Sequence, residues 1–200
     1  MDEQLQEFHN YYRSKLGFDI SKPMTIKENM YWIRFKRARE RATAATTPYD
    51  AITIAFDIDK PYFLEKWWNT LSIDEKQEYL IYCWLHNDSI FIHGMAFWID
   101  RFIETGYLSN CDIKQPEEPI KLYRGCIEGL EDAMSWTNDI EIAGLYANQF
   151  EGSHVYKTIA TKNDILSIFQ VEAMNVNTHE KYKNLEYILN PKDLKIEVLE

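Results

Sequence analysis

No segment of the chain reaches the ~18 consecutive apolar residues that a helical membrane span needs. Cysteine is scarce too. Cys83, Cys111 and Cys126 are odd in number and widely spaced. They fit neither a disulfide framework nor a zinc site, and they predict a reducing compartment. The opening Met1-Asp2-Glu3-Gln4-Leu5-Gln6-Glu7 lacks the basic and apolar regions of a secretion signal. A soluble, cytoplasmic protein is therefore the expectation. Positive charge is in short supply. A formal net charge of −10 argues against nonspecific nucleic-acid binding by the whole surface, although a local basic patch stays open. No metal motif is visible. His86 and His93 have no standard spacing and no third ligand, and they read as core or interface residues. There is no internal repeat and no low-complexity tract. What the chain does have is apolar bulk. It is 46% hydrophobic and 14% aromatic, enough for a buried core and too much for a disordered chain.

Residues 1–115 read as mainly helical. Tyr31, Phe35, Ala38 and Ala42 recur at helical spacing across 26–43. Residues 50–56 read equally as a short strand or a helix end. Pro61 suits a helix first turn, and Ser72-Ile73-Asp74-Glu75 has the form of a capping box opening a helix that runs to about Leu85. The clearest periodicity predicts a central helix over 89–105, with Phe91, Met95, Trp98 and Phe102 on one stripe. Trp67, Trp68, Trp84 and Trp98 read as core. Ser109 to Pro119, with two prolines and few apolar residues, reads as a linker or long loop. The expected division is a helical region, 1–115, and a second region, 116–200, with one continuous domain as the alternative.

After residue 119 the period changes to that of strands. Ile120 to Arg124, Met134 to Thr137, His154 to Ala160, Leu185 to Leu189 and Leu194 to Leu199 read as extended. Ile165 to Phe169 is ambiguous, and the polar stretch 171–183 reads as a loop. Asn138 or Asp139 caps a helix predicted over 140–150, with Ile142, Tyr146 and Phe150 on one face. Helices followed by strands predict an α+β fold.

Three short islands stand out: Tyr123-Arg124-Gly125, Ser135-Trp136-Thr137 and Asn184-Leu185-Glu186-Tyr187-Ile188. With the Ala143 and Ala147 helix, the Val155-Tyr156-Lys157 strand, Ile165-Leu166 and Asn190-Pro191, they resemble the Arg-Ser-Glu class of ADP-ribosyltransferases over about residues 119–200. The resemblance implies a split β core and NAD as co-substrate, without a metal. It implies transfer of ADP-ribose to a macromolecular acceptor, whether RNA, DNA or protein. It also implies a toxin or phage-defence role, with an antitoxin or immunity protein as partner. By position, Glu186 takes the catalytic role, Ser135 supports it and Arg124 binds NAD. Gly125, Trp136 and Thr137 complete the expected NAD-binding set.

The chemistry suits these residue types. Breaking the nicotinamide–ribose bond builds positive charge on the ribose, which a carboxylate stabilises. The Arg124 fork suits a diphosphate. Gly125 permits close approach of a ligand to the backbone. Ser135 can fix the Glu186 rotamer. Trp136 can pack in the core or stack on a ring. Two positions before Glu186, where arginine-modifying members carry a second glutamate, this chain has Asn184. Asn184 cannot serve as a base, so an arginine acceptor is not expected. Taken singly, Arg124 also reads as a surface residue, Ser135 as a turn cap and Glu186 as the solvent side of a strand. Two other functions stay open: an NAD glycohydrolase, and an inactive relic whose aromatic helical half binds proteins. One further cluster, Arg34, Lys36, Arg37, Arg39 and Arg41, crowds a predicted helix near Tyr31, Trp32 and Phe35. It reads as a solvated face, or as an acceptor contact through Arg34, Arg37 and Arg41.

Overall fold

In the computed structural model, residues 21, 23–86, 93–149, 151–174 and 181–199 are described. The architecture is α+β. The chain divides into two compact units, Met1–Gly94 and Met95–Glu200. This boundary falls earlier than the expected one at 115/116. The reason is helix Met95–Thr105, which packs on the sheet that follows it, with the Phe102 and Phe169 rings 6.2 Å apart.

The described part of the first unit is helical: α1 (Ile26–Ala44), α2 (Pro48–Ile54), α3 (Lys60–Trp67) and α4 (Ile73–Leu85), with single 3₁₀ turns at Asp57–Asp59 and Trp68–Thr70. Their starts are written locally. Thr25 and Glu28 form a capping box at α1, and Ser72 and Glu75 form another at α4. Thr47 caps α2, with Pro48 in its first turn. Residues 50–56 are thus mostly helix, not strand. Phe35 and Ile58 are buried together, with Trp32 and Phe56 against them. Trp68 and Trp84 are buried as expected. This unit also buries charge. Arg39 bonds the fully buried Asp59 at 2.5 Å, and buried Lys60 bonds Asp57 and the Ala55 carbonyl. His86 and His93 each bond a backbone carbonyl, of Tyr82 and Ile58 respectively.

The second unit opens with α5 (Met95–Thr105). Positions 89–92 of the helix expected over 89–105 lie outside the described residues. Seven strands follow: β1 (Leu108–Ser109), β2 (Ile120–Ile127), β3 (Ser135–Thr137), β4 (Ser153–Ala160), β5 (Ile165–Met174), β6 (Lys181–Leu189) and β7 (Glu197–Val198). Helix α6 (Ile140–Ala147) lies between β3 and β4 in sequence. Among the described residues the sheet order is β1-β5-β6-β3-β2-β4-β7, with β1 and β5 the only parallel pair. One sheet face is apolar: Leu122, Cys126, Trp136, Tyr156, Ile168, Tyr187 and Leu189 cluster there. The polar stretch 171–183 is not simply a loop. Residues 171–174 extend β5 and 181–183 extend β6, with Lys181 paired to Glu172 across the ribbon at 2.8 Å. A solvated two-stranded ribbon needs only its backbone ladder and tolerates polar side chains, so composition misreads it. The strand expected from Leu194 to Leu199 is reduced to the two-residue β7, which follows a 3₁₀ turn at Pro191–Asp193.

Candidate active site

The centre of the sheet brings Ser135 to Glu186. Strand β3 lies between β2 and β6, with Tyr123 opposite Thr137 and Thr137 opposite Glu186. Cross-strand partners share a face, so Tyr123, Gly125, Ser135, Thr137, Asn184 and Glu186 all belong to the sheet face that meets α6. There the Ser135 hydroxyl donates to Glu186 Oε1 at 2.5 Å. The bond joins residues 51 positions apart in the chain. It is charge-assisted, and it holds the carboxylate in one rotamer.

One rung along, Thr137 does the same for Asn184. Its hydroxyl donates to Asn184 Oδ1 at 2.7 Å and accepts the Asp139 amide at 3.1 Å. Asp139 in turn caps α6 by accepting from the amides of Glu141 and Ile142. A single hydroxyl therefore ties β6 to β3 and β3 to the start of α6. Thr137 and Asn184 are both buried. Thr137, expected in the NAD-binding set, and Asn184, which stands where arginine-modifying members carry a second glutamate, thus bond each other. These two side chains are spent on each other, beneath the surface.

Gly125 has a packing reason. A Cβ there would stand 1.9 Å from the Ala143 carbonyl oxygen and 2.6 Å from the Ala147 amide. The missing side chain is what lets α6 lie on β2. The space that side chain would take is occupied by helix backbone.

Arg124 and Trp136 leave their strands on the other face. Trp136 is buried in the apolar cluster, with its indole N–H on the Ala133 carbonyl at 2.9 Å. Of the two roles open to it, core packing is the one it fills. Arg124 is opposite Tyr156 of β4, a member of the same cluster. Its guanidinium donates to the Ser135 carbonyl at 2.6 Å and the Leu130 carbonyl at 3.1 Å. Strands β2 and β3 share only the Tyr123–Thr137 rung before they part, and Arg124 spans the gap. It fixes the backbone of the residue whose hydroxyl holds Glu186.

Tyr146 is the residue that sequence reading undervalued. The pattern put it on one helix face with Ile142 and Phe150. Ile142 is buried, but Tyr146 is 45% exposed. It stands close enough to Glu186 that the carboxylate charge, after partial burial of the ring, pushes its hydroxyl pKa above the ordinary value. The α6 spacing and the glycine beneath the helix were the available signals. Arg34, Arg37 and Arg41 belong to the first unit, exposed on α1. Among the described residues, no group of three or more His, Cys, Asp and Glu is placed to hold a metal, and no helix is long and apolar enough to cross a membrane. Comparison with protein-family models, curated proteins and solved structures finds no match to this chain.

Proposed function

We propose that the chain is an NAD-dependent ADP-ribosyltransferase built on a split β core, with Glu186 as its catalytic carboxylate. The observation that carries this reading is the 2.5 Å bond from Ser135 to Glu186, which fixes a carboxylate whose charge reaches the half-exposed Tyr146. In the reaction, the bond between ribose C1′ and the nicotinamide nitrogen breaks. Its electron pair leaves with nicotinamide, which becomes neutral. A lone pair of the acceptor forms the new bond to C1′, and the acceptor gives up a proton. Positive charge on the ribose peaks between these events, and Glu186 opposes it.

The residues present fit NAD in part. A carboxylate serves the ribosyl cation, and the exposed Tyr146 face suits a flat, positively charged pyridinium ring. Arg124 is recast in this reading. Both described hydrogen bonds of its fork go to backbone carbonyls, so it acts as a positioning residue for Ser135. A diphosphate contact would have to share or displace them.

A second reading, hydrolysis of NAD to ADP-ribose and nicotinamide, is favoured by one observation. Asn184, the side chain two positions before Glu186, is buried and bonded to Thr137, so it offers an acceptor no handle. From the sequence resemblance alone, the biological role would be that of a cytoplasmic toxin or phage-conflict protein restrained by an antitoxin or immunity partner. The test is incubation with NAD labelled in its adenylate half, with and without cell extract, followed by nuclease or protease digestion. Label in a macromolecule supports transfer. Free labelled ADP-ribose alone supports hydrolysis. Intact NAD under both conditions refutes both.

A further inference from the structure

The arginine-rich helix α1 divides its surface in a way that the sequence conceals. Its inward face is set by Phe35 and Ala42, both essentially inaccessible. Arg39 turns partly inward to Asp59 and stacks over Tyr62 at 4.2 Å. The aromatics near the arginines pack on one another, although Tyr31 keeps 36% of its surface exposed. Trp32 stacks on Phe35 with centroids 5.4 Å apart, and Tyr31 meets Phe56 edge-on at 5.4 Å. Lys36 is beside Glu40 at 3.9 Å.

The outward face is left with two kinds of side chain. At 100° per residue, Ile26, Met30, Ile33 and Arg37 fall on one line opposite Phe35, and Arg34 and Arg41 lie together along one side of it. Ile26 is 83% exposed, Met30 62% and Ile33 43%. Arg34, Arg37 and Arg41 are all exposed, and Arg37 and Arg41 have no recorded partner among the described residues. Three exposed aliphatic side chains in one row make a contiguous apolar strip, unlike single scattered ones. The helix carries six Lys and Arg against two Glu, in a chain whose formal net charge is −10.

We propose that this outward face of α1 docks an acidic amphipathic segment of a partner protein. The Ile26–Met30–Ile33 row receives its apolar side, and Arg34, Arg37 and Arg41 receive its carboxylates. Nucleic acid is the poorer fit. Bases need open aromatic or planar platforms, and the rings here are engaged: Trp32 on Phe35, Tyr31 edge-on to Phe56, and Phe56 beneath Arg34 at 5.9 Å. Phosphates need cations, and half of this row is aliphatic. Helix-in-groove and helix-on-helix docking use this apolar stripe with a charged margin.

The test uses the full chain and three fluorescent probes. The first is a synthetic acidic peptide of about four helical turns, with leucines at helical spacing and glutamates flanking them. The second is the same peptide with lysine in place of every glutamate. The third is a single-stranded RNA oligonucleotide. The acidic peptide is expected to bind saturably, at least tenfold tighter than either other probe. The triple substitution Arg34→Glu, Arg37→Glu, Arg41→Glu is expected to weaken it about tenfold or more, and the effect should shrink as salt rises. The double substitution Met30→Ser, Ile33→Ser should weaken it at every salt concentration. All five positions are exposed, so thermal melting should stay near that of the parent. Absence of saturable peptide binding by the parent overturns the proposal. So does equal affinity for the lysine peptide, tighter binding of the RNA, or parental affinity in both variants.

Discussion

Replacing Gly125 by alanine separates two explanations of that glycine. The added Cβ would stand 1.9 Å from the Ala143 carbonyl oxygen, roughly 1.5 Å short of ordinary contact. The atom it meets is helix backbone, so no side-chain rotation relieves the clash. Helix α6 must lift from β2. It is not free to do so cheaply, because Asp139 caps it and the Asp139 amide is bonded to Thr137. Overpacking against movable side chains costs about 1–3 kcal/mol, and a backbone obstacle belongs at the upper end of that range or above. At about 3 kcal/mol, a chain of this size should melt roughly 6–12 °C lower. Lifting α6 also moves Tyr146 away from Glu186, so NAD consumption should fall with stability. Calorimetry or circular dichroism gives the melt, and nicotinamide release gives the activity. A variant with the parent's melting temperature and a raised KM for NAD would refute the packing argument. It would return Gly125 to the role of admitting a ligand.

Three further outcomes are expected. Thr137→Val leaves the buried Asn184 carbonyl without its donor and should cost about 1–3 kcal/mol in urea unfolding, whereas Thr137→Ser should cost much less; equal losses would rule out the hydroxyl as the cause. Arg124→Lys cannot serve the Leu130 and Ser135 carbonyls with one planar fork, so kcat should fall through displacement of Ser135 while KM for NAD changes little; a loss confined to KM would restore a direct contact with the diphosphate. Burial, aided by the Arg39 charge, holds the His93 pKa below its ordinary value even though a bond to the Ile58 carbonyl opposes the shift. His93 therefore contributes stability that is present above its unfolded pKa of about 6.5 and is lost as pH falls through its lower folded value. His93→Gln should flatten the fall in stability between about pH 7 and pH 5; an unchanged slope would assign that fall to other groups.

Much of the fold is legible because its signals are local. Thr25 with Glu28, Ser72 with Glu75, Pro48 and Asp139 each start a helix by chemistry confined to four residues. The alternating apolar residues of β2 and β4 are equally direct. What eludes sequence reading depends on distant partners. Strand β1 exists because Leu108 and Ser109 pair with Ser167 and Ile168, while Asn110 bonds Gln170 twice nearby. Nothing near residue 108 announces that. The Ser135–Glu186 pair is legible as two members of an ordered set, because the strands that carry them are recognisable. The direction of each side chain is harder to see. Arg124 and Gly125 are neighbours that read as one ligand-binding pair, yet alternation sends them to opposite faces of β2. Asn184 looks exposed beside Lys183, and its burial follows only once Thr137 is known to be one rung away.

Glu186 is the carboxylate proposed to oppose charge on the ribose. The most direct measurement is nicotinamide release from NAD by the parent and by Glu186→Gln, each first shown to be folded by circular dichroism. Glutamine keeps the shape and can still accept the Ser135 hydrogen bond, but it carries no charge. The prediction is NAD turnover by the parent and a loss of about 10²–10³ in kcat for the variant. A folded Glu186→Gln protein that turns over NAD at nearly the parental rate, or a parent that does not consume NAD at all, would contradict the account.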